Sequence, residues 1–235
     1  MTDVLNIPEL PDEDDTEGLR AYLTSGISAI LNDPKLQLQP NVYMNLYTSV
    51  WRLTYREKSN ESARSDVPYA DVIYHDLVKM LADHVQLVLE KLQSQEDSLL
   101  FEAYLTEWDQ YLMAANRIDR LLNLINRHWV KRDVDEGKPD VYRIRTLHFV
   151  QWRSYLWDKI SIAVIDSAQL VLEKSHGNAD KTHDMLKSFA SLQIDYSART
   201  GDARTRIRES LEAPFVPEII AHERNLENII AARHN

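Results

Sequence analysis

Apolar residues first recur at helical spacing in LRAYLTSGISAIL, residues 19–31, where Leu19, Tyr22, Leu23, Ile27, Ile30 and Leu31 share one side. Asp15 or Thr16 can cap this first helix. Asn32-Asp33-Pro34 closes it, because a residue before proline avoids helical dihedrals. A second helix is predicted from Val42 to about Tyr55, followed by a polar loop over 56–68. A third runs from about Tyr69 to Gln93, with Leu77, Met80, Leu81, His84, Val85, Val88, Leu89 and Leu92 on or near one face. A long helix follows over about 98–132 and is broken by DEGKPD. Further helices fit 141–175 (bent or split), 178–197, 203–212 and 216–233. No strand alternation or hairpin dipeptide competes with them, so the fold class is all-α.

Two of these helices carry more apolar surface than one core contact uses. On the second, Leu46, Val50 and Leu53 cluster on one side. Tyr43, Met44, Tyr47, Trp51 and Tyr55 extend that arc to roughly 200°, about twice an ordinary core stripe. One half can pack inward, while the Tyr-, Trp- and Met-rich half has the composition of an interface centre. The long helix shows two stripes: Trp108, Tyr111, Ala115, Ile118, Leu122, Ile125 and Trp129, and separately Met113, Arg117, Leu121, Leu124 and His128. Such a helix is either buried on several sides or shares an exposed patch with the second helix for a partner protein.

Composition narrows the function classes. The chain has 235 residues, 44% of them hydrophobic, enough for a sizeable core. Its 5 glycines and 8 prolines argue against sandwiches, barrels and phosphate-cradling loops. With no cysteine, disulfides, thiolate zinc sites and cysteine nucleophiles are excluded, which permits a cytoplasmic or nuclear setting. A net charge of −10 disfavours general nucleic-acid binding. No apolar run approaches the roughly 20 residues of a membrane span. Residues 1–16, with Glu9, Asp12, Glu13, Asp14 and Asp15, read as a disordered acidic leader without signal-peptide character.

Catalytic and metal chemistry find little support. His75 and His84 lie nine apart, without the i, i+4 pairing that puts two ligands on one helical face. His176 and His183 are isolated, and no nucleophile elbow, Walker loop or dinucleotide fingerprint occurs. No metal or cofactor is expected. The stretch NRHWVKRDVDEG, 126–137, gathers Arg127, His128, Lys131 and Arg132 around Trp129. The basic run is short and sits in an acidic chain, so a nucleic-acid contact is the weaker reading.

YMNLYTSVW (43–51), YLTEWDQY (104–111), INRHWVKRDVDEGK (125–138) and LHFVQWR (147–153) occur in an order that resembles the N-terminal region of cullins, the scaffolds of cullin–RING ubiquitin ligases. LVLEKSHGNAD and LEAPFVPE are similar to pieces of the second cullin repeat. The Tyr-Met pair and the NRHWV…DEG segment favour the SCF type. Trp51 and Leu124 stand where related cullins often carry tyrosine.

The resemblance implies a right-handed stack of five-helix repeats, the first complete over 17–158 and the second partial over 159–235. It also implies a non-catalytic arm that binds a BTB-fold adaptor carrying F-box receptors, in the cytoplasm and nucleus. A full cullin is several times longer and ends in the domain that holds the RING subunit, so the rest of a cullin chain is a further expected neighbour. The implied contacts are Tyr43, Met44, Tyr47, Val50 and Trp51 on the second helix, and Arg117, Leu121, Leu124 and His128 on the long one. Trp108 and Trp129 are implied to be structural, with NRHWV ending the long helix and Arg127, Lys131 and Arg132 facing its negative terminus. Two alternatives stay open: an arm that binds BTB receptors directly, and a helical-repeat protein that self-associates.

Overall fold

The computed structural model describes residues 9–55, 69–138 and 141–174. Among these, regular structure is helical throughout: α1 (Thr16–Asn32), α2 (Pro40–Tyr55), α3 (Tyr69–Gln93), α4 (Asp97–Leu121), α5 (Asn123–Ile125), α6 (Lys131–Asp135), α7 (Ile144–Trp152) and α8 (Asp158–Lys174). Single π-helical turns join α5 to α6 (Asn126–Val130) and α7 to α8 (Arg153–Trp157). The helices expected at 178–197, 203–212 and 216–233 lie outside the described residues.

The chain divides into two compact units that cut across α3 and α4. The first holds residues up to His84 with 110–136 and 141–148; the second holds 85–109, 137–140 and the chain from Phe149 onward.

In the first unit, Asp15 caps α1 by accepting from the Gly18 amide at 2.8 Å, satisfying a donor the helix leaves unpaired. Leu19, Tyr22, Leu23, Ile27, Ile30 and Leu31 are buried along one stripe. Gly26 lies so close to α2 that a Cβ there would meet Leu46 Cδ2 at 2.3 Å, so any larger residue would require the Leu46 side chain to shift. α2 starts two residues earlier than expected, at Pro40, a position where the missing amide costs nothing. Its buried residues are Leu46, Ser49, Val50 and Leu53; each such leucine contributes about 1.5–3 kcal/mol. Ser49 is satisfied locally by donating to the Asn45 carbonyl at 3.0 Å. Arg52 contacts two residues ahead of α1. Arg52 Nη1 donates to the Pro11 carbonyl at 3.3 Å, and Arg52 Nη2 lies 4.0 Å from Glu13.

The long helix expected over 98–132 is interrupted. α4 stops at Leu121, and Leu122 leaves the helical region with φ −94° and ψ 17°. Asn126 accounts for the change of winding beyond it. Its Nδ2 donates to Asp119 at 2.8 Å and its Oδ1 accepts from the Ile144 amide at 3.0 Å. Asp119 also accepts from the Arg145 amide at 3.2 Å. Two side chains from the preceding helices thus cap α7, whose first amides have no partner within their own helix. With Asn126 pinned there, the backbone adjusts by widening one turn. Tyr74 holds the segment before α7, accepting from the Tyr142 amide at 2.8 Å and donating to its carbonyl at 3.1 Å.

The second unit is built around aromatic rings. Trp108 lies 5.2 Å from Trp152 and 5.9 Å from Phe149; Tyr104 lies 5.9 Å from Trp152 and 5.7 Å from Trp157. All five rings are buried, and such pairs add about 0.5–1.5 kcal/mol each beyond the area they bury. Ser167 on α8 accepts from the Phe101 amide at 3.0 Å and donates to the Asp97 carbonyl, fixing the first turn of α4.

Candidate functional site

The second helix separates its apolar arc into two faces. Leu46, Val50 and Leu53 point into the first unit, and Met44, Tyr47 and Trp51 are 57%, 37% and 51% exposed. Tyr43 is half-buried beside them. Spacings of three and four residues place the exposed trio on one strip, because α2 is regular from Pro40 to Tyr55. Three large apolar side chains left in water on one strip have the composition of an interface centre.

α5 packs beside α2 and supplies half-buried Leu124, with exposed His128 following in the π turn. Tyr55 joins the two. Its ring lies 5.6 Å from Trp51, and 6.3 Å edge-on from His128. Tyr55 was legible as part of the apolar arc but not as the link between the helices. That role depends on where α5 ends up, which no local spacing reveals.

Three expected contact residues have other places. Val50 and Leu121 have no exposed surface, so they support the face from inside and cannot line it. Val50 shares the inward stripe of Leu46, and Leu121 is covered where α4 ends. Arg117 is half-buried and engaged. Its Nη1 donates to the carbonyls of Pro34 and Leu36, both at 2.7 Å, fastening the loop between α1 and α2. It positions α2 from behind rather than orienting a partner at the rim.

Trp108 and Trp129 are buried. Trp129 packs 4.9 Å from Tyr74. The expectation that NRHWV ends a helix is corrected, because winding continues through α6 to Asp135. Arg132, in the last turn of α6, donates to buried Asp133 at 2.9 Å and lies 3.9 Å from Glu136.

Among the described residues no group of three His, Asp or Glu side chains could hold a metal ion. An open groove of about 830 Å³ along α1 and α3 is lined by Thr24, Ser28, Lys79 and Asp83, with Arg20 donating to Asp76 at 2.6 and 2.7 Å. His148 is buried against Tyr111, whose hydroxyl donates to the His148 carbonyl at 2.9 Å. Its Nδ1 lies 2.7 Å from the Ile144 carbonyl, while Nε2 has no partner. Burial lowers its pKa to about 4, partly offset by the Ile144 carbonyl and Asp119 and reinforced by His84. The imidazole is therefore neutral near pH 7. No described helix is long and apolar enough to cross a membrane.

Residues 20–222 match the cullin α-solenoid domain, most of the chain and every element of the site. The chain belongs to the cullin family. This cullin is 29% identical over 186 residues to Cullin-1 of Dictyostelium discoideum, covering 74% of the chain and 24% of that relative. It is 29% identical over 167 residues to Cullin-1 of Caenorhabditis elegans, covering 64% and 21%. To Cell division control protein 53 of Saccharomyces cerevisiae it is 23% identical over 208 residues, covering 79% and 25%. The chain spans about a quarter of the length of these relatives.

Proposed function

We propose that this cullin is the scaffold arm of an SCF-type ubiquitin ligase and docks a BTB-fold adaptor carrying F-box receptors. The exposed strip Met44–Tyr47–Trp51 carries this reading, with Tyr43, Leu124 and His128 at its border. Similarity to Cullin-1 from two organisms supports the SCF type over an arm that takes BTB receptors directly. The arm itself is non-catalytic. It works in the cytoplasm and nucleus.

Aromatic and methionine anchors that leave water on docking would supply most of the affinity. Calorimetric titration with a purified adaptor–F-box complex tests this. Met44→Ala combined with Trp51→Ala should weaken binding by roughly 30-fold or more, the loss of about 2 kcal/mol that marks interface anchors. Unchanged affinity in a folded double variant would refute the assignment. Exclusive capture of a BTB–Kelch receptor would favour direct binding. A tight dimer in sedimentation that persists when adaptor is added would favour self-association.

A further inference from the structure

One strip of exposed positions runs along the helices from α4 to α6, through Arg120, Asn123, Arg127, His128 and Lys131. Three of the five are permanent cations. Arg120, Arg127 and Lys131 make no ion pair among the described residues, whereas Arg20 pairs with Asp76, Arg52 with Glu13 and Arg132 with Asp133. Their helical neighbours do not compensate them. Positions three and four away from Arg120 are Asn116, Arg117, Asn123 and Leu124; those around Arg127 are Asn123, Leu124, Val130 and Lys131. Only Asp135 stands at such a spacing from Lys131. Like charges four residues apart, as Arg127 and Lys131 are, mildly destabilise a helix.

Arg120 lies in the last turn of α4, whereas Arg127 and Lys131 lie in winding that continues to Asp135. The three exposed charges form a basic edge on a chain whose net charge is −10. The edge adjoins the docking face, since His128 belongs to the strip and meets Tyr55, which stacks beside Trp51.

We infer that Arg120, Arg127 and Lys131 receive an acidic segment of the docked adaptor and steer its approach. The inference rests on the docking reading and assigns a charge to the partner surface. Exposed charges at the border of an interface act chiefly on the rate of association and its salt dependence. Nucleic acid fits less well, because three cations in a strongly negative field release few counterions.

The test measures association and dissociation of the 235-residue chain with a recombinant BTB-fold adaptor–F-box complex at about 50 and 500 mM salt, spanning strong and weak screening. Arg127→Glu with Lys131→Glu should slow association by roughly tenfold at low salt, within the range that steering supplies, and far less at high salt. Dissociation should change by no more than about twofold. Arg127→Gln with Lys131→Gln should give a smaller shift of the same sign, and Arg127→Lys with Lys131→Arg should restore the parent rate. Circular dichroism confirms that each variant is folded.

Unchanged association rates and salt slopes in the glutamate variant, while Trp51→Ala still weakens binding, would overturn the basic edge alone. Faster association would overturn it too, by making the partner's edge basic. Full binding by Trp51→Ala combined with Met44→Ala would remove the docking reading and this inference with it. Salt-sensitive RNA binding that vanished in the glutamate variant, with adaptor kinetics unchanged, would reassign the edge to nucleic acid.

Discussion

The outer strip of α2 and the aromatic cluster of the second unit use the same kinds of large aromatic residue for opposite ends. Tyr104, Trp108, Trp152 and Trp157 are closed off from water, each ring meeting another within about 6 Å. Trp51 meets Tyr55 on one side and solvent on the other. Burial of a ring depends on whether a second element arrives to cover it, so an aromatic repeat is an interior or an interface only in context.

Stability measurements should separate the two regions most sharply. Trp152→Ala removes the ring that touches both Trp108 and Tyr104 and should cost about 3–5 kcal/mol in urea unfolding. A cost below about 1 kcal/mol would mean that the cluster is loosely packed.

The interior of the first unit should respond to acid through His148. Its folded pKa, about 4, lies below the ordinary 6.5, so the unfolded chain binds the proton more readily. Its stabilising contribution is complete above pH 6.5 and lost as pH falls toward 4, to an extent of order 3 kcal/mol. His148→Leu should flatten that part of the stability profile, followed by thermal unfolding between pH 7 and 4. An equally steep profile in the variant would place the acid sensitivity elsewhere.

Behind the exposed strip, Arg117→Ala should cost about 1.5–3 kcal/mol, because it strips hydrogen bonds to a charged group from the Pro34 and Leu36 carbonyls. If Arg117 instead contacted the partner, adaptor affinity would fall with no loss of stability. The smallest expected effect is that of Trp51→Ala on folding, within about 0.5 kcal/mol, as for surface changes generally. A larger loss would make the exposed strip part of the core and break the contrast.

Much of this was readable from spacing. α3 starts and stops where its periodicity does, at Tyr69 and Gln93, and α1 ends ahead of Pro34 as the proline requires. The partition of α2 into an inward Leu46–Leu53 stripe and an aromatic strip followed from a 100° step. The break at Leu122 was hidden, because NRIDRLLNLINR contains neither glycine nor proline, and the bonds nearby are tertiary, the Ile144 amide donating to Asn126 among them. Val50 and Leu121 were misplaced for a related reason. Periodicity assigns a residue to a side of a helix, but not to the depth at which a neighbour covers that side. Arg117 was expected among the contacts because the loop carbonyls it holds are more than 80 positions away in sequence.

Ser167 has a consequence for how the second unit opens. Its hydroxyl bridges the Asp97 carbonyl and the Phe101 amide, so the first turn of α4 borrows its closure from a helix some 70 residues later. Neither end can fray alone without breaking the other's contact. In hydrogen exchange the amides at the start of α4 should therefore lose protection together with those around Ser167, as one cooperative opening rather than two.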